Sequence, residues 1–100
     1  MEKVKLQAQY GLYINGEWRN ASDGATYNAE SPADGSHLAV CAQGSREDVE
    51  AASAAAWEAF KTWKKTTPAQ RAALLNKIAD IIDANKEHLA MVESMDNGKP

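Results

Sequence analysis

The chain has 100 residues and a formal net charge of −3 at pH 7, with 44% hydrophobic and 25% charged residues. This length allows one small domain at most, with a modest hydrophobic core. The slightly acidic balance leaves no basic stripe that could displace counterions from a phosphate backbone, so we expect no nucleic acid partner.

The sequence shows no membrane-spanning or secretory pattern. No apolar run approaches the roughly 20 residues that a membrane-spanning helix requires, and residues 1–10 lack the apolar core of a signal peptide. The single cysteine, Cys41, excludes an intrachain disulfide. We therefore expect a cytoplasmic protein without membrane contact, since a reducing compartment suits this cysteine usage.

Short β-prone runs alternate with turn signals over residues 10–44, after a segment, residues 1–9, that we expect to be a flexible N-terminus. Asn15-Gly16 separates two such runs, and this dipeptide tolerates the positive φ angles of a type I′ turn. The sequence therefore predicts a β-hairpin with strands at residues 13–14 and 17–19.

A second pair of strands is predicted at residues 26–30 and 37–43. A turn at residues 31–35, which contains proline, aspartate and glycine, joins them. Two ribbons of this size are marginally stable alone, so we expect them to need another layer to pack against.

Helical patterns fill residues 45–100. Ser45 and Asp48 match a capping box at the start of a helix. Apolar side chains then recur at spacings of 3, 4, 4 and 3, as they do on one face of an α-helix. The positions on this face are Val49, Ala52, Ala56, Phe60 and Trp63.

A second helix is predicted to begin at Thr67, because Pro68 suits the first helical position and Gln70 can complete another capping box. Its apolar stripe, which we expect to be buried, consists of Leu74, Leu75, Ile78, Ile81 and Ile82. We expect the helical half to carry most of the buried area.

The helical pattern continues to Asn97. Residues 83–85 offer a break, with Asn85 as the cap of a third helix, and one long bent helix is the alternative. Gly98 is predicted to close the last helix in the left-handed conformation. The predicted fold is therefore α/β, with two short β-ribbons followed by two or three amphipathic helices.

The sequence contains no complete phosphate-binding loop, dinucleotide fingerprint or activated cysteine. Gly98-Lys99 is not part of a phosphate-binding loop, because Glu93 stands where the loop needs glycine and Pro100 where it needs serine or threonine. The six glycines form no G-x-G-x-x-G dinucleotide fingerprint. Cys41 has no adjacent cationic residue that would activate its thiol. The sequence predicts no catalytic and no cofactor-binding residue in this chain.

Five segments, in this order and at this spacing, resemble the opening segment of the NAD(P)-dependent aldehyde dehydrogenases. They are LYINGEW (12–18), SPADGSHLAV (31–40), AFKTW (59–63), TPAQRAALLNKIADII (67–82) and ESMDNGKP (93–100). The chain departs from the family at residues 31–36, where the family commonly has Asn-Pro-x-Thr-Gly-Glu. The ending at residues 96–100 is similar to that of the bacterial group acting on small aldehydes such as acetaldehyde.

The resemblance implies a much longer parent that oxidises an aldehyde to a carboxylic acid with NAD or NADP through a downstream cysteine. It implies that this chain is the N-terminal part of a Rossmann-type cofactor-binding domain, with the catalytic and oligomerisation domains beyond residue 100. The implied partners are the rest of its own chain, the aldehyde, and further copies in a homodimer or homotetramer.

The resemblance also implies a structural Na⁺ or K⁺ site formed by Asp96 and the backbone carbonyls of Ala29 and Glu30. A carboxylate near a helix C-terminus faces the negative end of the helix dipole, which a cation relieves, and hard cations prefer oxygen ligands. The alternative is a solvated aspartate that helps to form the turn.

A second interpretation of the chain comes from a different class of function. In it, the chain is a free-standing small helical interaction module that binds a partner through Trp57 and Trp63. The two interpretations differ in whether the native reading frame continues past Pro100.

Overall fold

A computed structural model describes residues 5–98 of the chain, and this described part contains five short strands followed by three helices. The strands are β1 (Gln9–Tyr10), β2 (Leu12–Ile14), β3 (Glu17–Arg19), β4 (Thr26–Glu30) and β5 (His37–Ala42). The helices are α1 (Arg46–Trp63), α2 (Pro68–Ala84) and α3 (Lys86–Asn97). The predicted α/β class, with short strands preceding three helices, is confirmed.

The first predicted ribbon is a two-stranded antiparallel hairpin of β2 and β3. Asn15 and Gly16 have φ angles of 54° and 76°, and two positive φ angles are what a type I′ turn requires. Tyr13 lies opposite Trp18, and their rings meet edge to face with centroids 4.8 Å apart. The hairpin prediction is confirmed.

The second predicted ribbon, β4 antiparallel to β5, belongs to a three-stranded sheet of order β1-β5-β4. Strand β1 pairs with β5 in parallel, which places Gln9 opposite Val40 and Tyr10 opposite Cys41. The sequence did not predict this strand, because two residues are too few to show an alternating pattern. Gln9 was expected to be the last residue of a flexible segment, of which residues 1–4 lie outside the described residues.

Both predicted capping boxes are present. At α1, the Asp48 backbone N–H donates to the Ser45 hydroxyl at 3.3 Å, and the Asp48 carboxylate accepts the Ser45 N–H at 2.9 Å. At α2, the Gln70 N–H donates to the Thr67 hydroxyl at 3.2 Å, and the Gln70 side chain accepts the Thr67 N–H at 2.9 Å. These reciprocal bonds satisfy N–H groups that a helix start leaves without partners.

The predicted break between the second and third helices is also present, but Asn85 acts differently from the prediction. Its side chain makes no cap hydrogen bond at the start of α3. Instead, its side-chain amide donates to the Ile81 carbonyl at 2.8 Å, and its backbone N–H donates to the Ile81 and Ile82 carbonyls. Asn85 therefore satisfies carbonyls at the end of α2. It is the N-cap residue of α3 by position, as predicted, but it makes no side-chain capping bond there.

Helix α3 ends at Gly98, as predicted. Gly98 has φ of 73°, and its N–H donates to the Ser94 carbonyl at 2.8 Å. A Cβ atom at Gly98 would lie 3.0 Å from Cγ of Pro32. The C-terminus of α3 therefore lies against the turn between β4 and β5, so two segments far apart in sequence meet here.

The buried residues lie mostly outside the helices. Among residues 5–98 they are Ala21, Ser31, Ala39, Asp48 and Met95. Helix α2 contains no buried residue, and Leu75 and Ile78 remain 66% and 52% exposed. The expectation that the apolar stripe of α2 is buried is wrong for the described residues. That the helical half carries most of the buried area stays a prediction.

The molecule is correspondingly flat. Its radius of gyration is 17.0 Å and its extents are 48 × 36 × 17 Å, whereas a compact chain of 100 residues has a radius of about 13 Å. Its accessible surface is 7948 Å², against about 5,500 Å² expected for a compact monomer of this mass. The layers of this structure therefore leave apolar surface open that a closed globule would cover.

Gly98→Ala is expected to destabilise the protein more than Gly24→Ala. Both glycines have positive φ, which costs an alanine about 1–2 kcal/mol. Only at Gly98 would the new Cβ also press on Pro32, since nothing lies within 4 Å of one at Gly24. The measurement is the free energy of unfolding by urea denaturation.

Pro32→Ala in the Gly98→Ala background supplies the control, because it removes the ring carbon that the new methyl group meets. The double variant should recover the extra loss and fall to the level of Gly24→Ala. Equal losses for the two single glycine variants would contradict a packing role for Gly98.

Candidate functional site

A pocket of about 200 Å³ lies between the three-stranded sheet and α3. Strands β1, β4 and β5 contribute Tyr10, Ala29 and Cys41 to its wall, and α3 contributes Glu93 and Asp96. The other lining residues are Leu6, Leu38, Ala39 and Val92. The pocket is therefore a mainly apolar space with two carboxylates on its helix side.

The structure brings two of the three predicted cation ligands to this pocket. Ala29 and Asp96 both line it, whereas Glu30 is not among its lining residues. Within residues 5–98, no group of three or more His, Cys, Asp or Glu side chains is placed to hold a metal. A hard cation needs several oxygen ligands, so the site at Ala29, Glu30 and Asp96 stays a prediction.

Cys41 is free and lies opposite Tyr27 across β4 and β5. The side-chain hydrogen bond with Cys41 raises the pKa of Tyr27, and the charge interactions with Cys41 and Asp96 and partial burial act in the same direction. A nucleophilic cysteine requires an electropositive setting. The charged groups that line the pocket beside Cys41, Glu93 and Asp96, are acidic instead.

The N-termini of α1 and α2 are already capped by the chain's own side chains. Phosphate groups of nucleotides bind at helix N-termini through free backbone N–H groups. At α1 the carboxylate of Asp48 and the hydroxyl of Ser45 lie in this place, and at α2 the side chains of Thr67 and Gln70 do. These residues do not fit a nicotinamide dinucleotide, so we derive no step of cofactor chemistry from them.

Asp48 is the most strongly bonded side chain of the described residues. It is only 3% exposed, and both carboxylate oxygens accept the Ser22 N–H at 3.1 Å. One of these oxygens also accepts the N–H and the hydroxyl of Ser45, each at 2.9 Å. The guanidinium of Arg19 lies 3.8 Å from the other carboxylate oxygen, Oδ1. The sequence predicted the contacts with Ser45, but the contacts with Ser22 span 26 positions and leave no local pattern.

The pKa of Asp48 is lower than the ordinary value of 3.8, chiefly because of the hydrogen bond from the Ser45 backbone. Burial opposes this shift, and the bonds from Ser22 and the Ser45 hydroxyl, together with the charge of Arg19, support it. Donors of this kind stabilise the ionised carboxylate. Asp48 is therefore a charged group at neutral pH, held among donors on two elements.

A second feature of functional interest is the apolar stripe of α2, which we call the α2 face. Its members are Leu74, Leu75, Ile78, Ile81 and Ile82, all between 46% and 66% exposed. On α1, Trp57 is 70% exposed and meets Phe60 edge to face, with centroids 6.0 Å apart. Contiguous apolar surface of this kind marks an interface more often than a free surface.

None of the three helices in residues 5–98 has the length and apolar character that crossing a bilayer takes. The other sides of α2 carry polar side chains such as Asn76, Lys77 and Asp80.

Comparison with known proteins places these features in a family. The sequence model of the aldehyde dehydrogenase family matches residues 18–100. Over 98 residues, the chain is 42% identical to a long-chain-aldehyde dehydrogenase of Acinetobacter, covering 98% of this chain and 20% of that protein. Over 99 residues, it is 37% identical to an NADP/NAD-dependent aldehyde dehydrogenase of Escherichia coli, covering 97% of this chain and 20% of that protein.

The fold agrees with solved structures as well. PnpE in complex with nicotinamide adenine dinucleotide matches with a TM-score of 0.84 at 41% identity, covering 87% of this chain and 18% of that one. The chain thus spans about a fifth of the length of the relatives it matches. On the family match over residues 18–100 and the agreement of fold, the chain belongs to the aldehyde dehydrogenase family.

Proposed function

We propose that this chain is the N-terminal part of an enzyme that oxidises an aldehyde to a carboxylic acid with NAD or NADP. Its family membership supports this proposal, and so do the names of relatives that are NADP/NAD-dependent or hold the dinucleotide. The observation that carries it is the near-complete match of this chain to only a fifth of the Acinetobacter relative. The nucleophilic cysteine and the cofactor contacts are then expected beyond residue 100.

Within this proposal, residues 5–98 are scaffold. The acidic surroundings of Cys41 and the capped N-termini of α1 and α2 support this role. The open α2 face supports it too, because a half-exposed stripe of large apolar side chains is stabilised when another layer covers it. The proposed cover is the downstream part of the same cofactor-binding domain, with the catalytic and oligomerisation domains following.

The proposal also covers the aldehyde preferred, the assembly and the location, and each has its own support. A preference for small aliphatic aldehydes rests on residues 96–100 alone, and assembly into a homodimer or homotetramer rests on the family. The expected cytoplasmic location rests on Cys41, the single cysteine, which is free. The alternative, an interaction module, is favoured by the exposure of Trp57 and Trp63, at 70% and 46%. A native protein with a mass near 10.8 kDa would favour that alternative.

Residues 1–100 alone are expected to be catalytically inactive. Purified fragment incubated with NAD and acetaldehyde should produce no NADH, whereas the full-length protein should produce it at a measurable rate. Cys41→Ser in the full-length protein serves as the control and should leave that rate unchanged, because Cys41 is not the proposed nucleophile. Turnover by the fragment, or loss of activity in a folded Cys41→Ser variant, would contradict the scaffold role.

Ile78→Ala is expected to destabilise the full-length protein by about 2–5 kcal/mol, the cost of truncating a buried isoleucine. In residues 1–100 alone the same change should cost far less, because Ile78 is 52% exposed there. Lys77→Ala, the matched control on the next position, should change stability by under about 0.5 kcal/mol in either form. Denaturant unfolding of both forms gives these values.

The difference between the two forms is the decisive quantity in that experiment. If Ile78→Ala costs the same in the full-length protein as in the fragment, the α2 face is not covered by the downstream part. If Ile78→Ala and Lys77→Ala unfold together in the full-length protein, the apolar stripe is assigned to the wrong side of α2.

The proposed cation site predicts that small monovalent cations raise the melting temperature. The full-length protein should melt at a higher temperature in K⁺ or Na⁺ than in a bulky organic cation at equal ionic strength. Asp96→Ala should abolish that rise, because it removes the only side-chain ligand proposed in this chain. Glu93→Ala, on the same side of the pocket, should retain it. Identical melting of the wild-type protein in all three cations would overturn the site.

A further inference from the structure

The hairpin of β2 and β3 has few means of attachment to the remaining structure. It shares no strand pairing with the three-stranded sheet. An open groove of about 390 Å³ separates its tip from α1. Residues Tyr13 to Gly16 form one side of this groove, and Ala52, Ala56 and Ala59 belong to the other. The hairpin therefore touches α1 through β2, but the open groove leaves its tip without close packing on the alanine side of the helix.

The other end of the hairpin is attached through polar groups. Strand β3 ends at Arg19, and the chain continues through a turn in which the Gly24 N–H donates to the Ala21 carbonyl at 2.9 Å. Ser22, within this turn, donates its N–H to both carboxylate oxygens of Asp48. The hydroxyl of Ser22 also lies 2.8 Å from that of Ser45. The hairpin thus reaches α1 through the same carboxylate that caps the helix.

We infer that Asp48 is a conformational latch: its carboxylate simultaneously closes the N-terminus of α1 and holds the turn after β3, so that the hairpin and the first turn of α1 both depend on this one side chain. The hairpin and α1, which also touch through β2, are coupled at the β3 end of the hairpin through one buried side chain. Loss of the carboxylate releases the hairpin and loosens the start of α1 together, while the three-stranded sheet stays folded.

The latch requires the ionised carboxylate. The charged groups that share its cleft are Arg19 from β3, whose charge favours the ionised carboxylate, and Glu47 from α1. Because the pKa of Asp48 is lowered in the fold, the contribution to stability is present above the unfolded value of about 3.8 and is lost as the pH falls through the folded value. The latch is therefore closed at neutral pH, and substitution tests it more sharply than acid, which titrates other carboxylates too.

Asp48→Asn is the decisive variant, because it keeps the size of the side chain but turns an N–H donor toward the donors that Asp48 binds. Hydrogen exchange of the full-length protein, followed by mass spectrometry at pH 7, should be at least about tenfold faster in peptides covering residues 11–23 and 45–52. Peptides covering residues 26–42 should exchange as in the wild-type protein, which shows that the sheet has remained folded.

Three further variants separate a latch from a simple helix cap. Ser45→Ala should accelerate exchange at residues 45–52 only, since Asp48 still holds Ser22. Ser22→Pro removes the backbone N–H that both Asp48 oxygens accept, at the second position of the turn closed by the Gly24–Ala21 bond, which suits proline. It should accelerate exchange at residues 11–23 while Asp48 still caps α1, and it carries the test if Asp48→Asn fails to fold. Glu47→Gln, which changes the neighbouring charge in the same cleft, should accelerate neither region.

The result that overturns the inference is acceleration at residues 45–52 without acceleration at residues 11–23 in Asp48→Asn or, if Ser22→Pro carries the test, wild-type exchange at residues 11–23 in that variant. Asp48 would then be a helix cap and nothing more. Equal acceleration by Glu47→Gln would overturn it as well, because the effect would then follow the charge of the cleft and not the bonds of Asp48.

Discussion

Hydrogen bonds that close the ends of its elements hold this chain in shape, because buried apolar area is scarce. The described residues bury only three apolar side chains, Ala21, Ala39 and Met95, and two of these are alanines. Several helix ends, by contrast, have a definite partner: Asp48 at the start of α1, Asn85 at the end of α2 and Gly98 at the end of α3. A buried carboxylate is tolerated among so little apolar packing because each of its oxygens has donors.

The same dependence on element ends explains how the two halves of the chain meet. The end of α3 lies against the turn between β4 and β5, where the Ser31 N–H donates to the Ser36 carbonyl and the Gly35 N–H to the Ser31 carbonyl. The start of α1 lies against the turn after β3 through Asp48. In both places a helix terminus contacts a tight turn. The terminus and the turn each have local hydrogen bonds of their own. Tertiary contacts of this kind need precise backbone geometry more than large side chains.

Most elements of the fold could be predicted from the sequence because their signals are local. Asn15-Gly16 indicates its own turn, Ser45 with Asp48 and Thr67 with Gln70 indicate helix starts, and Gly98 indicates a helix end. Each of these signals acts within about four residues, which is the distance over which capping and turn bonds form.

The features that could not be predicted from the sequence depend on residues that are far apart along the chain. Strand β1 exists because β5 supplies its partner in parallel, and two residues carry no pattern of their own. The link from Asp48 to Ser22 joins residues 26 positions apart. Asn85 was expected to cap the helix that follows it, yet its side chain bonds to the helix that precedes it. Both uses suit asparagine, and only the placement of α2 and α3 decides between them.

The helix ends of this chain are capped, whereas the α2 face is exposed. This contrast fits the proposed scaffold role. A helix whose termini are capped keeps its register without a neighbour, so the α2 face is presented as a formed surface before anything covers it. Covering half-exposed Leu75 and Ile78 then removes apolar area from water without much further ordering of the backbone. The accessible surface exceeds that of a compact monomer of this mass by roughly 2,400 Å². This excess is larger than the roughly 800 Å² that one partner contributes to an interface of standard size. In the proposed scaffold role, polar bonds would fix the shape of this segment, and its open apolar faces would determine where the next layer packs.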